Sequence, residues 1–450
     1  MVEPTIVPRS AHPLSRRQID PDALKVLYRL HEHNYVAYLV GGSVRDLLLD
    51  RRPKDFDIGT SAHPHQVKKL FRNCWIIGRR FRLAHVKFGT KTIEVATFRR
   101  QVAAAPTPEA EIAEAEQAEL NGVDPGATVD DERLDREADL RRAQDFLIQR
   151  DNTYGTPEED AFRRDFTVNA LFYDIGTFSI IDYVGGLEDL HGRLIRCIGD
   201  PDVRFLEDPV RMLRAVVLAA RLEFTIDEPI LESIEIHKHE IARSAPARLL
   251  EEYFKILRSG HASDAFGQLR QTGLLKAITP ELDAAIDPLW RAISALDRYR
   301  ARFQGAPETL TNAILAGSLL YPLGLIGRRP RFSADPLERR IELGLLPIPR
   351  RDIERLQQLL GMQHRLLDIH APLRAQRGLV HRSTFPEAMT WLEIHGDRPD
   401  VIDHWRQLHA QPAPSGPPYH APGEIATAGP FQRRRRRRRR PRSPYVAPQE

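Results

Sequence analysis

One short stretch constrains this sequence more than any other, because an apolar run leads directly into two glycines. Residues 35–40 have the composition of a strand, and Gly41 and Gly42 follow at once. Ser43 comes next and can cap a helix, with Asp46 three residues later completing a capping box. The N–H groups at a helix start carry a partial positive charge that suits phosphate. The stretch therefore predicts a turn whose backbone faces an anionic ligand.

Two carboxylates follow within a few residues. Asp55 and Asp57 lie at positions i and i+2 of a predicted strand over residues 55–58. That spacing places both side chains on one face of a strand. Beside a phosphate-binding turn, such a pair can hold Mg²⁺ against a nucleoside triphosphate. Each feature alone has an ordinary explanation, because Gly-Gly turns are common and alternating aspartates often line an exposed strand face.

Taken in order, the strand, glycine turn, helix and carboxylate strand resemble the nucleotidyltransferase superfamily. In that superfamily a GG or GS turn and a DxD pair build a two-metal polymerase site. The longer text GGSVRDLLLDRRPKDFDIGT is similar to its class II branch, the bacterial poly(A) polymerases and CCA-adding enzymes. The resemblance implies that Asp55 and Asp57 are catalytic metal ligands. It implies nucleotide-binding roles for Gly41, Gly42, Ser43 and Arg45.

A third carboxylate, Glu94, stands in the middle of an apolar strand predicted over residues 92–98. Such a side chain faces either solvent or the site, and alternation alone does not choose between the two faces. With the aspartates on a neighbouring strand, Glu94 is a candidate third ligand of the metal site.

The second motif begins after residue 150. Thr156 and the acidic residues that follow predict a helix from residue 157, which places Asp165 and Asn169 on one face at i and i+4. An ordinary surface network would use the same residues. The text RRDFTVNALFYD resembles the class II motif that handles the ribose and triphosphate. The resemblance implies a catalytic Asp165 and nucleotide contacts from Arg163, Arg164 and Asn169.

The third motif opens a later helix. Asp208 and Pro209 are a natural cap and first residue of a helix, which explains both without any function. The text EDPVRMLR, however, resembles the class II motif EDxxR, whose Asp and Arg hydrogen-bond the base of the nucleotide. The resemblance implies that Asp208 and Arg211, which can meet above the first helical turn, read the base, and that Arg214 also binds the nucleotide.

Composition and charge further limit the class of protein and the partners that it can bind. The chain has 450 residues, 42% hydrophobic, and only two cysteines, which excludes a disulfide framework and fits a reducing, cytoplasmic setting. The sequence has no apolar run long enough for a membrane span. The net charge is +4, but a run of arginines near the C-terminus leaves the remainder mildly acidic. These arginines predict sequence-independent RNA binding: Arg433, Arg434, Arg435, Arg436, Arg437, Arg438, Arg439 and Arg440.

The sequence as a whole predicts an α+β protein with a nucleotidyltransferase head, an all-helical body and a disordered basic tail. The expected divisions are a disordered N-terminus (1–20), the head (21–175) with an acidic disordered insertion (101–140), a neck (176–260), a helical RNA-binding body (261–411) and the tail (412–450).

The resemblance implies template-independent addition of AMP from ATP to RNA 3′ ends, assisted by two Mg²⁺ ions. The RNA would be mRNA, small RNA or tRNA, and no membrane is expected. Two alternatives stay open: CCA addition to tRNA, and a non-catalytic RNA-binding protein.

Overall fold

The computed structural model describes residues 3–78, 82–100, 153–326 and 341–410 of the chain. Their architecture is α+β as predicted, with a mixed sheet and its helices first and a helical body after it. Among these residues no helix combines the length and apolar character needed to cross a membrane. The acidic insertion predicted at 101–140 and the arginine-rich tail predicted at 412–450 lie outside the described residues.

Within the described ranges, eight strands form one sheet in the order β1-β8-β7-β2-β3-β6-β5-β4. Strands β3 and β6 are parallel, and the other neighbouring pairs are antiparallel. The strands are β1 (Thr5–Val7), β2 (Ala37–Val40), β3 (Asp57–Thr60), β4 (Cys74–Ile77), β5 (Leu83–Phe88), β6 (Lys91–Thr97), β7 (Leu171–Asp174) and β8 (Ile180–Asp182).

The predicted disorder of residues 1–20 is wrong for the part that the structure describes. Strand β1 pairs with β8, Leu14 is fully buried, and Asp20 caps helix α1 (Pro21–Glu32). A three-residue strand is too short to show a pattern, and its partner lies far along the chain. The same pairing carries the sheet to residue 182, beyond the head boundary predicted at 175.

The two faces of the sheet have different surroundings. One face presents the core residues Leu39, Ile58 and Val95 toward α1 and toward α3 (Pro64–Leu70). The alternate residues of the same strands point to the opposite face, because side chains alternate along a strand. That second face is covered by a smaller apolar cluster that includes Val40 and Phe172, and elsewhere it is open to solvent.

Helices dominate the chain after the sheet. Helix α2 (Gly42–Leu48) lies between β2 and β3 in the chain. The helices after α3 are α4 (Pro157–Phe162), α5 (Gly186–His191), α6 (Pro201–Glu207), α7 (Val210–Leu222), α8 (Glu228–His237), α9 (Pro246–Ser259), α10 (Ala262–Gln271), α11 (Leu274–Ile278), α12 (Pro280–Asp283), α13 (Asp287–Arg300), α14 (Asn312–Leu320), α15 (Arg350–Leu367), α16 (Leu373–Val380), α17 (Phe385–His395) and α18 (Pro399–Ala410). Helix α7 leads from the head into the body, where α9, α13, α14, α15 and α17 pack on one another around buried aliphatic side chains. Two short pairs complete the strands: β9 (Leu194–Ile195) with β10 (Thr225–Ile226), and β11 (Glu342–Leu343) with β12 (Leu346–Pro347).

Candidate active site

The glycine turn lies where β2 ends and helix α2 (Gly42–Leu48) begins. Gly41 has φ +69° and ψ −133°, a conformation that residues with a side chain rarely adopt. A Cβ atom at Gly41 would lie 2.8 Å from Nη1 of Arg164, so the turn also needs glycine for space. Glycine is therefore a steric requirement at position 41 of this turn.

The predicted capping box at this helix is wrong. Gly41 is the residue before the helix, and it provides no side chain to cap it. Ser43 lies inside the first turn, and its Oγ donates a hydrogen bond to the carbonyl of Val40 at 2.9 Å. The carboxylate of Asp46 is taken by arginines and so does not reach back to Ser43.

A buried ionic network lies beneath the turn. Arg45 is 3% exposed, and its Nε and Nη2 donate to Oδ1 of Asp46 at 2.9 and 2.6 Å. Its Nη1 donates to the side-chain oxygen of Asn169, and Arg221 on α7 lies 2.6 Å from Oδ2 of Asp46. Burial lowers the pKa of Arg45, although the charge of Asp46 opposes that shift. Arg45 thus supports the turn from below and does not line an accessible surface.

The DxD carboxylates occupy less regular positions than predicted. Strand β3 begins at Asp57, so Asp55 precedes it and does not share a strand with Asp57. The Asp55 side chain is 69% exposed, and Nζ of Lys54 lies 3.5 Å from its Oδ2. The sequence missed this because the strand starts only where pairing with β2 begins, at Val40 and Asp57.

Glu94 lies on the same face of the sheet as Asp57. Strands β3 and β6 are parallel with Ile58 opposite Val95, which places the preceding residues, Asp57 and Glu94, side by side. Both side chains are exposed while Ile58 and Val95 are buried. Nε2 of His85, on the next strand, lies 3.6 Å from the Glu94 carboxylate. The strand register therefore shows which face of the sheet Glu94 is on: its side chain is exposed to solvent and lies beside Asp57.

The electrostatics of Asp57 reflect this crowding of negative charge. Neighbouring protein atoms remove part of its hydration even though the carboxylate reaches solvent, and this raises its pKa. The charges of Glu94 and Asp55 raise the pKa further, to about 6, while Arg164 opposes them. A divalent cation would relieve this repulsion, and carboxylate oxygens are the ligands that Mg²⁺ prefers. In the part of the chain that the structure describes, no three acidic, histidine or cysteine side chains already enclose a metal position.

The second motif is less helical than predicted. Helix α4 has the predicted Thr156 cap but ends at Phe162, and a 3-10 turn covers Thr167–Asn169. Asp165 and Asn169 nevertheless meet, since Nδ2 of Asn169 lies 3.5 Å from Oδ1 of Asp165. Asp165 and Asn169 thus contact each other as predicted, although no continuous helix joins them.

Asp165 is a buried carboxylate held by several donors. It is 7% exposed, its Oδ2 lies 2.7 Å from Nη2 of Arg214, and its Oδ1 accepts the backbone N–H of Phe166. Burial alone would raise the pKa of Asp165, but Arg214, Asn169 and the backbone amides hold it below the ordinary value. Asp165 therefore remains an anion in the folded protein and ties the second motif to α7.

Arg164 connects α4 to the glycine turn. Its Nη2 and Nε donate to Oδ2 of Asp160 at 2.9 and 3.2 Å, and its Nη1 donates to the backbone carbonyl of Asn169 at 3.1 Å. The guanidinium stacks on the ring of Phe172, 5.4 Å from its centroid. Arg163 extends from the same turn, with its Nε 3.6 Å from Asp160. Arg164 thus places a cation beside Gly41, while Arg163 shares the partner Asp160.

The predicted contact between Asp208 and Arg211 is wrong. Asp208 lies between α6 and α7, and Arg248 on α9 binds both of its oxygens, at 2.8 and 2.7 Å. Nη1 of Arg211 instead donates to Oε2 of Glu207 at 3.0 Å and to a backbone carbonyl of α6. The two residues lie near each other at the start of α7, but each has another partner.

Sequence reasoning missed Arg248, which is 40 residues from Asp208 and belongs to no recognised motif. It also missed Arg204, whose Nη2 donates to the carbonyls of Arg163 and Arg164 at 2.8 and 2.7 Å. No local sequence motif could reveal either arginine. Their partners come together only in the folded chain.

A strand, glycine turn and helix next to a carboxylate-bearing mixed sheet, continued by helices, define a nucleotidyltransferase fold. Residues 37–196 match the family described as "Poly A polymerase head domain". Residues 223–286 match "Probable RNA and SrmB- binding site of polymerase A". These two stretches of the chain are thus similar to the head and the RNA-binding region of poly(A) polymerases.

Individual relatives agree with this similarity. Poly(A) polymerase I of Salmonella typhi is 46% identical over 278 residues, which are 62% of this chain and 54% of that protein. A CCA-adding enzyme of Lactobacillus helveticus is 34% identical over 244 residues, 54% of this chain and 51% of that protein. The chain thus matches about half the length of these curated relatives.

Among solved structures, the CCA-adding enzyme of Bacillus stearothermophilus in complex with CTP superposes with a TM-score of 0.57 at 25% sequence identity. The match covers 87% of this chain and 83% of that one. The likeness therefore extends from the head well into the helical body.

Proposed function

We propose that this protein is a template-independent poly(A) polymerase that adds AMP from ATP to RNA 3′ ends. The observation that carries the proposal is the 46% identity, over 278 residues, to the poly(A) polymerase I of Salmonella typhi. The geometry supports it, because a glycine turn, exposed carboxylates and the cations of the second motif lie around one region of the sheet. Each part has a role that its contacts make reasonable.

The glycine turn and the arginines of the second motif would receive the triphosphate. Gly41 and Gly42 have no side chain to keep phosphate oxygens away from the backbone, and Ser43 is fixed to Val40. Arg164 lies beside Gly41 and would place positive charge near the bound anion, and Arg163, the preceding residue, would add to it from its position beside Asp160. Arg45 and Asn169, which bond to each other beneath the turn, would hold it in shape.

Asp57, Glu94 and Asp55 would hold the divalent metal. They are oxygen donors, and the charges of Glu94 and Asp55 both raise the pKa of Asp57, as expected for carboxylates that lie close to one another. Mg²⁺ commonly binds through a few carboxylates together with substrate phosphates, which fits neighbouring side chains on an open sheet face. When bound, two such ions would activate the RNA 3′-OH and stabilise the pyrophosphate leaving group.

The start of α7 would read the base. Asp208 has acceptor oxygens and Arg211 has donor N–H groups, which together match the N6 amino group and N1 acceptor of adenine. In the structure Asp208 is held by Arg248 and Arg211 by Glu207, so base binding would share or replace these contacts. The ion pair between Arg214 and Asp165 would fix this end of α7 against the second motif.

One assay tests the proposal against its rivals. The purified chain with Mg²⁺ is given each nucleoside triphosphate separately, with an unstructured RNA and with tRNA lacking its CCA end. We expect long A-tails from ATP on both RNAs, and no incorporation by an Asp57→Asn variant that still binds RNA. Incorporation of CTP that stops after three residues on tRNA would instead identify a CCA-adding enzyme, which the likeness to the Bacillus stearothermophilus structure keeps as the second candidate.

If the chain incorporated no nucleotide at all, the remaining candidate function would be non-catalytic RNA binding. The arginine run at 433–440 would bind RNA phosphates in either case, without regard to sequence. A protein that binds both RNAs but adds no nucleotide would thus refute the enzymatic proposal.

A further inference from the structure

An exposed tryptophan lies at the edge of the sheet, away from the residues assigned above. Among the strands that the structure describes, β4 is the outermost on its side of the sheet, and its outward side chains Trp75 and Ile77 are 50% and 48% exposed. Edge strands are ordinarily protected by charge or by a covering element. Nζ of Lys87, on the neighbouring strand, lies 5.2 Å from the centroid of the Trp75 ring. This aromatic surface with an adjacent cation is a feature that packing does not explain.

The strand register connects this surface to the carboxylates. Trp75 lies opposite His85, and His85 lies opposite Glu94. Glu94 in turn is beside Asp57, because Ile58 pairs with Val95 in the parallel strands. The four side chains therefore form a row on one face of the sheet. Three strand spacings of about 4.8 Å place Trp75 roughly 14 Å from Asp57.

The chemistry of this surface fits single-stranded RNA. Every base has a flat face that can stack on tryptophan, and a neighbouring lysine can contact the backbone phosphate. Two exposed apolar side chains are too few for the core of a stable protein interface, which buries about 800 Å² on each partner. A stacked strand advances about 3.4 Å per nucleotide, so 14 Å corresponds to roughly four nucleotides.

We propose that Trp75 and Lys87 bind single-stranded RNA by stacking a base a few nucleotides upstream of the 3′ end. The position along the strand rests on the proposed function, because that function puts the 3′ end near Asp57. Stacking is indifferent to base identity. The site would therefore hold the RNA during tail growth whatever the preceding sequence.

The experiment measures RNA affinity without any nucleoside triphosphate, by titration calorimetry with a decanucleotide and with a dinucleotide. For Trp75→Ala we expect decanucleotide binding to weaken roughly 5- to 100-fold, as for loss of one base–aromatic stack. The dinucleotide is too short to reach Trp75 from the 3′ end, so its affinity should not change. Trp75→Phe keeps a flat ring and should retain most of the decanucleotide affinity.

Lysine variants provide the matched control. Lys87→Gln should reduce the slope of log affinity against log salt by roughly 0.7, the value for one phosphate contact on a single strand. Lys69→Gln removes the same charge from α3, which packs against the opposite face of the sheet, and should leave the slope unchanged.

The outcomes separate this proposal from the function on which it rests. Decanucleotide affinity of Trp75→Ala within twofold of the unmodified protein would overturn the stacking site, even if AMP addition proceeds. An equal loss for both RNA lengths would overturn it as well, because a general structural defect would then explain the effect. A length-dependent loss in a protein that adds no nucleotide would support the stacking site and refute the enzymatic proposal.

Discussion

Replacing Gly41 by alanine tests whether the glycine turn has the tight geometry on which the site depends. At φ +69° and ψ −133° an alanine is strained by about 1–3 kcal/mol. The new Cβ would also lie 2.8 Å from Nη1 of Arg164, which must move away from Asp160 or Asn169. Each hydrogen bond lost adds about 1 kcal/mol, so we expect the free energy of unfolding to fall by about 2–4 kcal/mol.

The rate of AMP incorporation by Gly41→Ala should fall by more than the loss of folded protein alone would explain. A displaced turn and a displaced Arg164 would shift the phosphate-binding groups by a fraction of an ångström or more. Misplacement on that scale can cost about 100-fold in rate. Urea denaturation gives the stability change, and initial rates of AMP incorporation give the activity, both measured at a temperature where the variant is fully folded.

Gly89 provides a control that separates strain from steric conflict. It also has positive φ, +61°, but a Cβ there would have no neighbour within 4 Å. Gly89→Ala should therefore lose only about 1–2 kcal/mol of stability and no activity. If Gly41→Ala were as stable and as active as Gly89→Ala, the close approach of Arg164 to the turn would have no functional meaning and the reasoning would fail.

Three further predictions concern other parts of the chain. Asp165→Asn and Arg214→Gln should each lower the free energy of unfolding by about 1–3 kcal/mol, less than for a fully buried pair because Arg214 is 42% exposed. A double-mutant cycle measured by urea denaturation should show a coupling energy of about 1 kcal/mol or more, and additive effects of the two substitutions would contradict the ion pair. Burial lowers the pKa of His395 to about 4, so its contribution to stability is complete above the unfolded pKa near 6.5 and is lost as pH falls from there toward 4. Urea denaturation across this pH range should show the loss of stability, and His395→Gln should make the free energy of unfolding less dependent on pH. Truncation after Pro430 should lower the salt slope of RNA binding by roughly 0.7 per lost phosphate contact while leaving turnover at saturating RNA unchanged, and identical slopes would contradict the role given to the arginine run.

Sequence reasoning succeeded where a signal is local. The glycines between an apolar run and a helix, and the cap at Thr156, depend on neighbours within a few residues, and both features are present. Glu94 could be named as a candidate because a carboxylate within an apolar strand is unusual. Only the register with β3 established which way it faces.

The failures share a physical cause, which is competition from partners distant in sequence. Ser43 and Asp46 have the spacing of a capping box, but Arg221 reaches Asp46 from 175 residues away. Asp208 and Arg211 could meet on a helix, but Arg248 offers Asp208 two parallel hydrogen bonds and a better geometry. A charged side chain can pair with any partner that folding brings near it, and local sequence does not identify which partner that is.

The pairing of β1 with β8 has a consequence for how the chain is made. Thr5 lies opposite Asp182, and more than 170 residues separate the two strands. Ribosomes add about 5–20 residues per second, so the first strand waits roughly 10–35 s before its partner has been synthesised. The end of the sheet that contains β1 therefore cannot be completed until β8 has been made. Strand β1 is synthesised before the other strands of this sheet and is among the last of them to be paired, and until then its short length limits pairing with other strand edges.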